Sequence, residues 1–266
     1  MTARDSRGWT GAISGHPTFD ELVAEGESVP VAGWDFSWFE GRASEERPPW
    51  GYARLMAGRM ARAARALDLQ TGGGEALATM AEPPPLLVAT ESWPPNVERA
   101  RRSLRGLGAW VVAVGETGGL PFAPSCFDLV VSRHPVVTDW AEIARVLRPG
   151  GTYISQQVGA GSVRELTDFL MGPQPLSDVR SIERATAGAT AAGLRVVDLR
   201  RATLPMAFLD IAAVVHFLRK VVWIVPGFTV ERYRTRLAEL HQRIESHGPF
   251  VAHAERFLIE AHKTRR

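Results

Sequence analysis

With 266 residues, 45% hydrophobic and 23% charged, the chain can bury a sizeable α/β core without disulfide or metal staples. Its 31 Lys and Arg against 29 Asp and Glu leave a formal charge of +2, and no basic run dominates a segment, which argues against a phosphate-tracking surface and disfavours a nucleic-acid partner. The single cysteine, Cys126, excludes an intrachain disulfide and a cysteine-rich zinc site; no metal is expected, and a reducing, cytoplasmic setting fits.

Residues 1–16 are rich in Gly, Ser and charge, read as loosely attached, and lack the apolar core of a signal peptide. From 17 to 63 the pattern is helical and aromatic, with a helix expected from about Trp50 after Pro48-Pro49. Residues 1–63 are therefore expected to form a lid segment. Its tryptophans Trp34, Trp38 and Trp50 are either packed core or the walls of a pocket for a flat apolar substrate. Arg42, Arg47 and Arg54 could reach a carboxylate, although surface solvation is the expected fate of at least two.

From 64 onward, short apolar runs alternate with amphipathic ones. Strands are expected at 64–69, 86–91, 110–114, 127–132, 152–156 and 194–199, and helices at 74–81, 95–106, 138–147, 161–170 and 180–192. This alternation predicts a parallel sheet with helices on both faces. The tail breaks the rhythm with two long helices, 207–224 and 229–246, before a last strand at 255–263, which has no room for a crossover helix and should run antiparallel. Residues 64–266 thus read as one domain with a helical cap inserted at about 207–250. The apolar run 206–227 is interrupted by Asp210, His216, Arg219 and Lys220, and a charge at the centre of a spanning helix costs about 2.5–3.5 kcal/mol, so a cap helix is expected and not a membrane span. His216 reads as a satisfied core residue, with Asp210 paired to it or to Arg219. The cap would close a pocket or form a homodimer face.

The stretch "ALDLQTGGGEALATM" (66–80) puts three glycines after a strand carrying Asp68. In an open α/β sheet, ligands sit beyond the C-terminal strand ends, so Gly72, Gly73 and Gly74 would turn the chain sharply and turn amides toward a bound group. The next strand ends in Glu91, where a carboxylate can accept from both hydroxyls of a ribose. A dinucleotide-binding fold would share these features.

The segment 114–157 discriminates. Leu120-Pro121-Phe122, Phe127-Asp128-Leu129-Val130 and Val146-Leu147-Arg148-Pro149-Gly150-Gly151, in this order and spacing, resemble the class I S-adenosylmethionine-dependent methyltransferases over about residues 64–160. The resemblance implies a Rossmann-like, seven-stranded sheet of order 3-2-1-4-5-7-6 with strand seven antiparallel, and S-adenosyl-L-methionine as cofactor with S-adenosyl-L-homocysteine as product. It also implies that Asp68, Gln70, Thr71, Gly72 and Gly74 line the methionine half, that Glu91 holds the ribose, and that Ser92, Trp93, Glu116 and Thr117 border the adenine. Ser132 and Arg133 would flank the methyl donor. Gln70 departs from the family's D-x-G-x-G-x-G turn; its Cβ is expected to demand negative φ and to put an amide near the cofactor's amino-acid end.

A methyl sulfonium is already electrophilic, so the protein's task is to align the acceptor and exclude water. His134, beside the expected transfer position, is the candidate general base and acceptor contact; its bland alternative is a loop histidine bonded to a backbone carbonyl. The leading expectation is methyl transfer to N, O or C of a small organic molecule. The alternatives are an RNA methyltransferase acting on ribosomal guanine, with Arg99, Arg101, Arg102 and Arg105 in a basic patch, and a non-catalytic binding protein that kept the fold.

Overall fold

Thr18 accepts the N–H of Glu21 while Glu21 accepts the N–H of Thr18 at 2.8 Å, and this capping box opens α1 (Phe19–Ser28). The computed structural model describes residues 17–115 and 119–265. After α1 come a three-residue strand, β1 (Ala43–Glu45), and α2 (Tyr52–Met60). The alternating part then runs β2 (Arg65–Leu69), α3 (Glu75–Ala78), β3 (Leu86–Glu91), α4 (Pro94–Ser103), β4 (Trp110–Ala113), β5 (Phe127–Arg133), α5 (Trp140–Val146) and β6 (Leu147–Val158). The remainder is α6 (Arg164–Met171), α7 (Ile182–Ala191), β7 (Leu194–Phe208), α8 (Ile211–Lys220), α9 (Val230–His247) and β8 (Phe250–Lys263). Side chains of Asp139, Ser181, Asp210 and Thr229 cap α5, α7, α8 and α9, each accepting an otherwise orphaned N–H of the first turn.

One sheet gathers every strand in the order β1-β7-β8-β6-β5-β2-β3-β4. The β2, β3, β4, β5 and β6 neighbours pair in parallel, and β8 runs antiparallel between β6 and β7, as the tail of the sequence predicts. The expected seven strands become eight. The extra one is β1, which pairs Ala43–Glu45 with Phe208–Met206. Its origin lies in β7, which does not stop near residue 199 but runs on to Phe208, fifteen residues in all, and β1 pairs with its last three. β6 is also longer than expected, because Arg148-Pro149-Gly150-Gly151 lies within it.

Both faces of the sheet are covered. Tyr153, Phe257 and Leu147 centre one core, and Met60, Leu77, Leu104 and Ile154 the other. A third core, around Phe208, Phe217, Leu237 and Leu240, joins α1, α8 and α9 to the far end of the antiparallel β7–β8 pair. Within it, α1 approaches α8 through Gly26, where an added Cβ would lie 2.6 Å from the Ala212 carbonyl oxygen. Gly58 in α2 has nothing within 4 Å of the same position. No helix among the described residues is long and apolar enough to cross a membrane.

The two glycines separate helix propensity from packing. Gly58→Ala is expected to stabilise the protein by about 0.5–1 kcal/mol in urea denaturation. Gly26→Ala should destabilise it by about 1–3 kcal/mol, because a backbone oxygen cannot yield as a side chain can.

Candidate functional site

The C-terminal tips of β2 and β3 meet through a carboxylate. One Glu91 oxygen accepts the N–H of Gly72 at 2.8 Å, and the other accepts those of Ser92 and Trp93 at 2.9 and 3.0 Å. Three amides on a buried carboxylate fix its orientation and leave part of its accepting capacity open to the cleft it lines. Gly72 has φ +64°, and a Cβ there would fall 2.0 Å from Cδ1 of Trp34. The bare turn is thus covered by an indole from the N-terminal segment. That segment is pinned by Gly33 N–H to Asn96 (2.7 Å), by Trp34 N–H to Glu75 (3.0 Å) and by Arg99, which pairs with Glu75 at 3.1 Å. Arg99 therefore faces the strap, not an open basic patch, and Arg101 pairs with Glu98.

Gln70 corrects the expectation of negative φ: it stands at +56°, in the left-handed region that costs a non-glycine residue about 1–2 kcal/mol. Its side chain explains why the conformation persists. The amide oxygen accepts the Val136 N–H at 2.7 Å and the amide nitrogen donates to the Val137 carbonyl at 2.6 Å, tying the β2 tip to the loop after β5. Two such bonds, each worth about 1 kcal/mol, offset the strain.

Two clefts open on this edge. The larger, of about 630 Å³, is lined by Glu91, Ser92 and Trp93 from β3 and the turn after it, and by Lys220 from the cap. The smaller, of about 270 Å³, is lined by Asp68, Thr71, Arg133, Gln156 and Arg256. Gln70, Trp34, His134 and Trp223 border both. Of the three tryptophans named from the sequence as pocket walls, Trp34 alone takes that position. Trp38 packs edge-on to Phe39 and His216, and Trp50 is buried beneath the sheet edge. Ser132 is buried as well, bonded to Tyr153 and Ser155, and its carbonyl accepts from Tyr52. Gly74 contributes as the N-cap of α3, against Leu104. Glu116 and Thr117 lie outside the described residues. His216 is buried between Trp38 and Phe39 with its Nδ1 unpartnered, and burial, with Lys220 and Arg219 nearby, lowers its pKa to about 4. Asp210 pairs with Arg42 at 3.2 Å and with neither expected partner.

Asp68 is 5% exposed, and its carboxyl is pushed up from 3.8 to about 7, chiefly by burial, against the opposing Thr71 hydroxyl and with Glu91 adding to the rise. His134 moves the opposite way: burial, then Arg256, Arg133 and Arg180, hold its pKa well below the usual histidine range. Its tautomer is set by a relay that sequence reading missed. The Trp50 indole is a donor only, so the Gln156 atom 2.8 Å from it is the amide oxygen. The Gln156 nitrogen must then donate to His134 Nε2, 2.9 Å away. Nε2 is the acceptor and the ring proton sits on Nδ1. The bland expectation of a carbonyl-bonded loop histidine holds only for the main chain, whose N–H donates to the Gln156 carbonyl at 2.7 Å, with His134 at φ +54°.

The motifs around β5 brace this edge from behind. Asp128 accepts the N–H groups of Ala64 and Arg65 at 2.9 and 2.7 Å, seating β2 against β5. Arg145 donates to the carbonyls of Leu120 and Phe122, and a Cβ on Gly151 would meet the Arg148 and Asp128 carbonyl oxygens at 2.9 and 3.2 Å. Residues 67–155, which hold all three motifs, match the family model described as a methyltransferase domain. Over this span the chain is similar to a methyltransferase domain.

Solved structures share the methyltransferase fold at low identity. The YcgJ protein of Bacillus subtilis is 19% identical with a TM-score of 0.57, over 80% of this chain and 97% of its own. A candidate methyltransferase from Bacillus halodurans C-125 is 16% identical with a TM-score of 0.56, over 80% and 100%. A structure of the Haloferax volcanii Trm112 methyltransferase activator in complex with a candidate methyltransferase gives 20% and 0.50, over 93% and 96%. No curated protein matches the chain.

Two outcomes test the methyltransferase edge. Gln70→Ala, which keeps the strain and loses both amide bonds, is expected to cost about 2–3 kcal/mol in urea denaturation, and Gln70→Gly, which relieves the strain, clearly less. Because Asp68 keeps a proton in the folded state that it loses in the unfolded one, its contribution is full below about pH 4 and falls as pH rises to about 7. The stability of wild type minus that of Asp68→Asn should fall across that window by up to about 4 kcal/mol and be flat above it.

Proposed function

We propose that the protein transfers a methyl group from S-adenosylmethionine to a small organic acceptor, with the cofactor's nucleoside in the larger cleft and the acceptor in the smaller one. The observation that carries this reading is the pair of clefts joined at Gln70, Trp34, His134 and Trp223 over the tips of β2 and β5. The larger has the volume and apolar lining of a nucleotide-sized site, with Glu91 as the oriented acceptor for ribose hydroxyls. The exposed face of Trp93 and the Ser92 backbone border the base, and the methionine half would cross the junction toward Asp68 and Thr71 on the near wall of the smaller cleft. The cofactor fits this chain because Asp68 is buried with no ion-pair partner among the described residues, and because Glu75, paired with Arg99 through Oε1, keeps a buried Oε2 free to accept.

When bound, S-adenosylmethionine supplies a methyl group on a sulfonium, electrophilic without further activation. The residues therefore act by position: Trp34 and Trp223 wall the junction against water, and Gln70 holds the 136–137 loop over it. With Nε2 occupied by Gln156, His134 serves as an Nδ1–H donor toward the acceptor and not as a proton acceptor. This role replaces the general base expected from its place in the sequence.

Calorimetry should show micromolar binding of S-adenosylhomocysteine, and Glu91→Ala should weaken it by about tenfold or more, roughly 1.4 kcal/mol. Absence of heat with both S-adenosylhomocysteine and S-adenosylmethionine would remove the reading.

A further inference from the structure

The strand tips change chemical character across the sheet. Over β3 and β2 stand the carboxylates of Glu91 and Asp68. Past β5, toward β6 and β8, the smaller cleft and its continuation gain donors, opposite the Asp68 and Glu75 carboxylates that line the same cleft from the β2 side. Arg133 follows β5, and Arg256, on β8, lines the same cleft. Arg180 borders the adjoining hollow, which is continuous with the cleft through Val158, Ser162, Trp223 and Ile224.

These arginines are not equivalent. Arg256 is compensated: it pairs with Glu45 at 2.5 Å and donates to Ser162 Oγ at 3.0 Å. Arg133 and Arg180 have no carboxylate partner among the described residues. Arg180 is half-buried, with its guanidinium held 4.9 Å over the Trp223 ring, so its charge is fixed in place and partly desolvated without being neutralised. The Trp223 Nε1–H is buried with no acceptor, and the relay from Trp50 leaves the His134 proton on Nδ1. At the rim, Glu46 and Arg47 offset one another in charge. Four donors therefore border the cleft and its adjoining hollow, Arg133 and His134 the first, Arg180 the second and Trp223 both, and two of them are cationic and uncompensated.

A neutral or cationic acceptor would leave the half-buried Arg180 and the buried Trp223 N–H without partners, at a cost that the exposed Arg133 does not share. We infer that the methyl acceptor is an anionic small molecule, whose carboxylate is held by Arg180 and Arg133 with hydrogen bonds from His134 Nδ1 and Trp223 Nε1. The inference rests on the assignment of the smaller cleft as the acceptor site and names its substrate class. It also gives the Trp50–Gln156 pair a function: a carboxylate needs a donor from His134, and only the tautomer they enforce supplies one at Nδ1 without a second positive charge.

Matched probes that differ only in charge test it: benzoate with benzamide, and phenylacetate with phenylacetamide, titrated by NMR with and without saturating S-adenosylhomocysteine. The acids should bind about tenfold more tightly than their amides, with Arg180→Gln reducing the acids to the amide level and Arg180→Lys keeping part of the preference. S-adenosylhomocysteine affinity should change little in Arg180→Gln. Equal binding of acids and amides, binding of neither, or an acid preference that survives Arg180→Gln would overturn the inference. If S-adenosylhomocysteine itself fails to bind, the methyl-transfer reading falls, while the acid–amide comparison in its absence still decides whether the anion site exists.

Discussion

Everything at the functional edge depends on a single stretch of main chain without side chains. Because Gly72 has no Cβ, its N–H reaches the Glu91 carboxylate and the Trp34 indole comes down onto the turn. The first contact joins neighbouring strand tips; the second brings a segment thirty-odd residues upstream to serve as a wall shared by two clefts. Any side chain at 72 would displace the indole, and the φ of +64° adds a conformational penalty of its own.

Around that contact the site is polarised by topology. The parallel order places the β2 and β3 tips side by side, so Asp68 and Glu91 fall together, and β8 returns antiparallel to bring Arg256 from the end of the chain to the opposite side. A cationic methyl donor and an anionic acceptor would each meet the complementary half.

Much of this was legible in the sequence. The alternation of apolar runs gives the parallel core, and the lack of room for a crossover before residue 255 gives the antiparallel last strand. The residues of the three motifs mainly brace the edge, and Leu120 also lines the larger cleft. What the sequence hides is whatever depends on distant partners. Nothing local announces that Gln70 will accept a left-handed backbone, because the compensating amides belong to Val136 and Val137. Trp50 counts as one more aromatic until its N–H is found on Gln156, 106 residues away. β1 escapes a pattern search because three residues, Ala43, Ser44 and Glu45, carry no periodicity; only the exposed flank of β7 explains it.

That small strand ties the lead-in chain at a second place. Residues 29–42 run between α1, docked on α8, and β1, zipped to β7, so the span bearing Trp34 is a closed loop anchored at both ends to the cap and hairpin. A fragment starting at residue 64 would therefore lose more than a roof. It would carry a raw sheet margin and a stripped apolar helix flank, and both invite self-association. Residues 17–63 and the rest of the fold thus share buried side chains, Leu22, Val23 and Phe39 among them, and are not separated by an exposed seam there.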